Sequence, residues 1–319
     1  MTNGLSGPRK QFLDVLRVLA TCAVVLMHVL TGATDVTDAS IMPEYRSLLL
    51  SVMDLVTWCV PIFLLISGYL FLNPERTLTY PVMIKKYCRR IALAILLFGV
   101  PYAASELVVA ERTFRIRMIP EALKMTLTGH TWSHMWYLYL ILFLYLITPL
   151  LKKVLRVLPV WGVAAVMAVI FLGSSVAPFL NKVLDVNSIP VLPDGGVYFL
   201  YYLCGYFFAV REVGVDKGRN VWLTAAVAVL ALGMILSRTL AGFSIQMAYN
   251  YPFTVLLAVL LFAAGWNGSI KKHRIPWQEA GALSFAVYLV HPVYVNLLYK
   301  FVKITPFTVL EQCGVQSVA

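Results

Sequence analysis

Apolar residues in this chain come in long blocks, without the strict alternation of half-exposed strands. Nine blocks reach or approach the length needed to carry an α-helix across a bilayer, at roughly 12–33, 48–72, 88–109, 134–151, 157–179, 196–210, 220–240, 250–266 and 280–302. Short polar and basic segments separate them. In hydrocarbon every backbone N–H and C=O must be satisfied within the protein, which makes the helix the natural spanning element. The pattern predicts an all-α polytopic membrane helix bundle of about nine crossings, a single domain over residues 1–319 with no soluble domain attached. The first block does not read as a cleaved leader. Its apolar core is too long, polar residues interrupt it, and no clear small-residue cleavage site follows.

Composition agrees: 60% of residues are hydrophobic, 13% are charged, and the mean hydropathy is +0.80. Soluble domains carry about 25% charged residues. The net charge of +11 does not point to nucleic acid, because the cations sit in short patches between apolar blocks. With the N-terminus in the cytoplasm, sixteen of the 26 Lys and Arg fall on the inner side. These are Arg9, Lys10, Arg76, Lys85, Lys86, Arg89, Arg90, Lys152, Lys153, Arg156, Arg211, Lys217, Arg219, Lys271, Lys272 and Arg274. The exception is the outer loop 110–133, with Arg112, Arg115, Arg117 and Lys124; it reads as an amphipathic surface helix or as a seat for an anionic acceptor. The five cysteines show neither metal-ligand nor disulfide spacing, and four of them lie in or beside predicted spans.

The candidate chemistry is concentrated in the first block, FLDVLRVLATCAVVLMHVLT, which contains Asp14, Arg17 and His28. Ionisable groups in a membrane helix are costly and usually face a partner or a wet cavity. At ~100° per residue, the eleven steps from Arg17 to His28 end about 20° from a whole number of turns, and Asp14 lies about 60° to the other side. The three share one face, with Arg17 and His28 roughly 16 Å apart along it. A cation at one end and a general base at the other suit a long, thin, anionic cofactor. The plainer reading, polar groups bonded to neighbouring helices, serves each residue alone better than all three together.

Other positions carry weaker signals. The second block holds Asp54, Pro61 and the pair Ser67-Gly68, which suit a kink and a close helix crossing. Lys85-Lys86-Tyr87-Cys88-Arg89-Arg90 leads into the third block; it marks topology and lipid headgroups or, through arginine, holds cofactor phosphates. His130 and His134 flank the outer end of the fourth block, with Trp132, Trp136, Tyr137 and Tyr139 as an interfacial aromatic belt. His291 sits mid-block directly before Pro292 and reads as a helix–helix contact in preference to a site residue.

Taken in order, LDVLRVLA with His28, VPIFLLISGYLF, YCRRIALAILLFG, HMWYLYLILFLYLITPLL, YYLCGYFF and SFAVYLVHPVYV resemble the landmarks of the acyltransferase-3 family of integral membrane acyltransferases. The likeness runs from about Gln11 to Val295 and is nearest to short members without a fused esterase-like domain, O-acetyltransferases among them. The resemblance implies transfer of an acyl group, usually acetyl, from cytoplasmic acetyl-CoA or another acyl-CoA to a hydroxyl of a surface polysaccharide or lipid-linked glycan. It implies a bacterial inner-membrane location and an essential first-helix pair, His28 and Arg17. It also implies a basic cofactor-binding motif at the third helix, mapping to Lys86, Arg89 and Arg90. In this reading His28 takes the acceptor proton, Arg17 faces the anionic part of the cofactor and Asp14 orients Arg17; no metal is required. Tyr198, Tyr201, Tyr202 and Tyr206, or the outer basic loop, are candidates for the acceptor pocket. Family members usually have a tenth span. None is read here before Val318-Ala319, so the C-terminus is expected outside. Two other classes fit the composition: a transporter using Asp14, Arg17 and His28 as a proton relay, and a membrane scaffold or sensor. A transporter would be expected to show inverted repeats or paired broken helices, and no clear ones are seen. A homo-oligomer is left open.

Overall fold

The structure is a computed structural model that describes residues 10–36, 43–210, 217–241, 248–267 and 275–299. Arg9, Arg211, Lys271, Lys272, Arg274, Cys313 and the stretch where a tenth span was sought lie outside the described residues, as do the side chains of Lys217 and Arg219. Among the described residues every regular element is helical, so the all-α expectation holds. The chain forms two compact units: residues 70–165 make one, and the segments on either side of it make the other.

Six helical stretches are long and apolar enough to cross a membrane: Gln11–Gly32, Leu48–Phe71, Tyr80–Glu111, Ser133–Val157, Val160–Val183 and Trp277–Leu297. These are six of the nine expected blocks. The other three appear among the described residues as shorter apolar helices, Gly195–Val210, Trp222–Met234 and Pro252–Trp266. Gly195–Val210 follows Pro190 and Pro193, whose rings and missing N–H groups resist extending the helix toward its N-terminus. Sixteen residues reach about 24 Å, short of a ~30 Å hydrocarbon core.

In the first unit, α1 (Gln11–Val36) buries Phe12, Leu13, Leu16, Ala20, Ala23 and Val24, a helical stripe, and turns Leu19 and Leu26 outward. The second block breaks into α2 (Pro43–Val56) and α3 (Cys59–Phe71). Proline explains the break: the ring of Pro61 clashes with the carbonyl four residues back, that of Thr57, and Thr57 sits in the interruption. Further on, α3 crosses α10 (Gly195–Val210) backbone to backbone. A Cβ on Gly68 would strike the Tyr202 carbonyl, and one on Gly205 would strike the Leu65 carbonyl and Tyr69 N–H. The small pair in the second block thus does what its sequence suggested.

α13 (Trp277–Leu297) lies along α1. Gly281 faces Asp14, the His291 ring meets the His28 ring, and the Tyr299 hydroxyl donates to the Val29 carbonyl at 2.5 Å. The matching order of these contacts makes the two helices parallel. α12 (Pro252–Asn267) places Gly265 against Leu16 and Phe262 against Phe12 and Tyr69.

In the second unit the third membrane stretch begins at Tyr80, earlier than the expected 88, because α4 (Tyr80–Val82), a π-helical turn over Met83–Cys88 and α5 (Arg89–Glu111) run on continuously. α6 (Met118–Leu127) forms in the basic outer loop, burying Met118, Ala122 and Thr126 at four-residue spacing and exposing Ile119, Leu123 and Leu127. That is an amphipathic helix, as the sequence allowed, and it packs on α5, where Gly99 faces Thr126. Arg115 and Arg117 lie 3.4 and 3.8 Å from Glu111, so part of the loop's charge is compensated locally. Trp132 stacks on Tyr102, ring centres 4.3 Å apart, beside the buried His134 ring. α7 (Trp136–Val157) completes the unit together with residues 160–165 of α8 (Val160–Phe171).

Candidate functional site

Asp14, Arg17 and His28 all lie on the described part of α1. Asp14 is only 2% exposed, and its Oδ1 accepts from Arg17 Nη1 at 3.0 Å, while the Arg17 side chain keeps 25% of its surface. A buried carboxylate is tolerable when a cation and hydrogen bonds compensate it. Gly281 of α13 makes room for it: a Cβ there would come within 3.0 Å of Asp14 Cβ and Oδ1. Asp14 and Arg17 thus form an ion pair within one turn of α1.

Eleven residues along, half-buried His28 meets His291, ring centres 4.9 Å apart and planes tilted by 51°. His291 is a helix–helix contact, as expected, but its partner is the candidate base. Its ring is fixed by the His-Pro sequence. Pro292 has no N–H to give the carbonyl of Tyr288, four residues back. The Nδ1 of His291 lies 2.8 Å from that carbonyl and 3.2 Å from the carbonyl of Val287. Carbonyl oxygens only accept, so Nδ1 carries the proton and, in the neutral ring, Nε2 carries the lone pair. The pairing of a proline-freed carbonyl with the preceding histidine is legible in sequence; that the ring meets His28 is not.

Sequence reasoning passed over Tyr249. Its hydroxyl lies 3.9 Å from the sulfur of Met27, next to His28 in the chain, and its carbonyl accepts from the Tyr201 hydroxyl at 2.6 Å. The Tyr198 ring is 6.3 Å from it, and burial pushes the Tyr249 phenol above its ordinary range. Tyr198 and Tyr201 therefore stand near the His28 end of α1. Tyr206 and Tyr202 are buried elsewhere along α10, and the Tyr202 backbone belongs to the crossing with Gly68.

Lys86, Arg89 and Arg90 belong to the second unit, around the junction of the π-helical turn and α5, and all three are exposed. The Lys86 ammonium lies 5.5 Å from the centre of the Tyr87 ring. Cys59, Cys88 and Cys204 are buried free thiols and Cys22 is an exposed one, which suits the packing role expected for most of them.

Together these features define a multi-pass membrane protein of the all-α class, with an ion pair and an imidazole pair inside one pair of parallel helices. A family model described as an acyltransferase domain, Acyl_transf_3, matches residues 10–315. The chain belongs to that family of polytopic membrane acyltransferases, the one its ordered motifs resemble. No curated protein and no solved structure matches the chain in the corresponding comparisons.

Proposed function

We propose that this protein is a membrane O-acyltransferase that moves an acyl group, acetyl in the short members it resembles, from cytoplasmic acyl-CoA to a hydroxyl of a cell-surface glycan or lipid-linked sugar. The observation that carries the reading is the His28–His291 pair on the helix that also holds Arg17 against Asp14, in a chain matched by the acyltransferase model over 10–315. His28 accepts the proton of the acceptor hydroxyl, which makes that oxygen a nucleophile toward a carbonyl. His291, its Nδ1–H committed to the α13 backbone, keeps a second imidazole against His28. Arg17 is assigned to the negative charge of the donor, arginine being suited to phosphate by its planar fork. The donor's thioester supplies the acyl group and a good leaving group when bound.

The reading includes a cytoplasmic N-terminus, a single domain in the inner membrane of a bacterium, and nine crossings, three of them short. The parallel run of α1 and α13 supports an odd number of crossings from α1 through α13, since the two point the same way only then. The test is a mass comparison of surface glycans from cells carrying the wild-type chain, its His28→Ala variant, or neither. A gain of one acyl unit with the wild type alone is expected. Equal acylation by the variant removes the mechanism, and no acylated glycan with any chain removes the acceptor class.

A further inference from the structure

We propose that Arg76, Lys152 and Arg156 of the second unit form a binding site for a phosphate group, separate from the exposed Lys86, Arg89 and Arg90. Lys152 is 5% exposed, an unusual burial for lysine. Its ammonium donates to the backbone carbonyl of Asn73 and lies within electrostatic reach of Arg156 and Arg76. Three cations in one place repel one another, and among the described residues no carboxylate lies within ion-pair distance of any of them. Contrast Arg17, which has Asp14.

Arg76 is held by neutral groups. Its Nη1 donates to the Leu70 carbonyl at 3.1 Å, its Nη2 to the Tyr87 hydroxyl at 2.5 Å, and its guanidinium lies 5.1 and 5.6 Å from the Phe71 and Tyr87 ring centres. The Arg76 N–H and Lys152 Nζ share the Asn73 carbonyl, which ties the loop after α3 to the end of α7. Lys152 therefore commits one of its three donors and Arg76 two of its five side-chain donors. Arg156 is exposed and makes no hydrogen bond or ion pair among the described residues. The carbonyls ending α7 favour cations nearby, but that explains neither the burial of Lys152 nor the placement of Arg76 beside it. An incoming phosphate, with two or more charges and several acceptor oxygens, fits the uncompensated charge and the uncommitted donors.

Two sources carry that chemistry: the phosphates of a nucleotide such as CoA, or an anionic lipid headgroup. Only the first rests on the acyl-CoA reading above. The test uses the full chain, purified as wild type and as Lys152→Met, Arg156→Gln and the exposed neighbour Lys153→Gln as control. CoA affinity is measured by calorimetry in nanodiscs of neutral phosphatidylcholine, and co-purified phosphatidylglycerol is measured by native mass spectrometry. The site is upheld, with a nucleotide source, if Lys152→Met and Arg156→Gln each weaken CoA binding at least tenfold while Lys153→Gln does not. It is upheld, with a lipid source, if CoA affinity holds and retained phosphatidylglycerol falls at least tenfold in the same two variants only. It is overturned if both quantities stay unchanged, or if Lys153→Gln matches the others. Arg156→Gln removes no hydrogen bond or ion pair among the described residues, so it tests the site even where Lys152→Met alters folding. Failure of the wild type to bind CoA counts against the acyl-CoA reading and leaves the lipid measurement to decide the site.

Discussion

Each unit places a cation in apolar surroundings, and they stabilise it in opposite ways. In the first, Arg17 is met by a buried carboxylate, Asp14, and a neighbouring helix opens at Gly281 to admit the pair. In the second, Arg76 and Lys152 are met by carbonyls, a phenol and aromatic faces, with no carboxylate among the described residues. The ion pair is complete without a ligand; the cluster keeps net charge. The packing differs as well. α3 and α10 touch through backbone atoms at Gly68 and Gly205, whereas a Cβ on Gly99 of α5 would first meet side-chain atoms of Thr126 and Met135.

The largest break comes from the glycines. Gly68→Ala or Gly205→Ala drives a Cβ into a carbonyl that no rotamer change can move, so monodisperse protein should not accumulate; normal yield of either would refute the backbone crossing. Gly99→Ala should be tolerated at about 1–3 kcal/mol, the usual cost of overpacking side chains. Melting curves separate the two cases.

Next is His28→Ala, which should fold with unchanged melting temperature and lose about 10²–10⁴ in transfer rate, the range for removing a general base. A lowered yield with full activity in the surviving protein would make His28 structural.

The charge comparison is sharpened by two isosteric changes. Asp14→Asn leaves Arg17 without its carboxylate and should destabilise by about 1.5–3 kcal/mol, the worth of a charged hydrogen bond. Lys152→Met removes a buried cation that has no carboxylate among the described residues and relieves its repulsion from Arg76 and Arg156, so stability should change by less than about 1 kcal/mol, or rise. If the two lose equally, the contrast between the units is wrong. The smallest effect is expected from Pro292→Ala. A restored N–H competes with His291 Nδ1 for the Tyr288 carbonyl, loosening the ring and lowering transfer by about fivefold, the equivalent of one net hydrogen bond. Imidazole nitrogen shifts report the altered tautomer balance.

Much of this was legible in the chain. The shared face of Asp14, Arg17 and His28 followed from helical period alone, and the Asp14–Arg17 contact lies within one turn. The break at Thr57 and the bond from His291 follow from what proline does to the carbonyl four residues earlier. Span boundaries were read unevenly: α10 matches its expected 196–210, whereas the third stretch begins at Tyr80 and not at 88, because hydropathy records where apolar residues are and not where a helix starts. Tyr249 was passed over, and Lys152 was counted only as one of the inner-side cations, because nothing local distinguishes a tyrosine in a loop, or a lysine in a basic run, from its neighbours.

By itself, then, the sequence determined what depends on residues within a turn or two of one another: helical class, membrane residence, the charged ridge of α1, the kinks, and through ordered motifs the family. Only the tertiary structure decided that α13 runs parallel to α1, that His291 faces His28, and that Lys152 is buried beside Arg76 rather than solvated with Lys153. The physical reason is that local hydrogen bonding and hydropathy act over a few residues. Which side chains meet across the 263 residues from His28 to His291 is set instead by the packing of whole helices, where small residues such as Gly281 and Gly265 allow close approach.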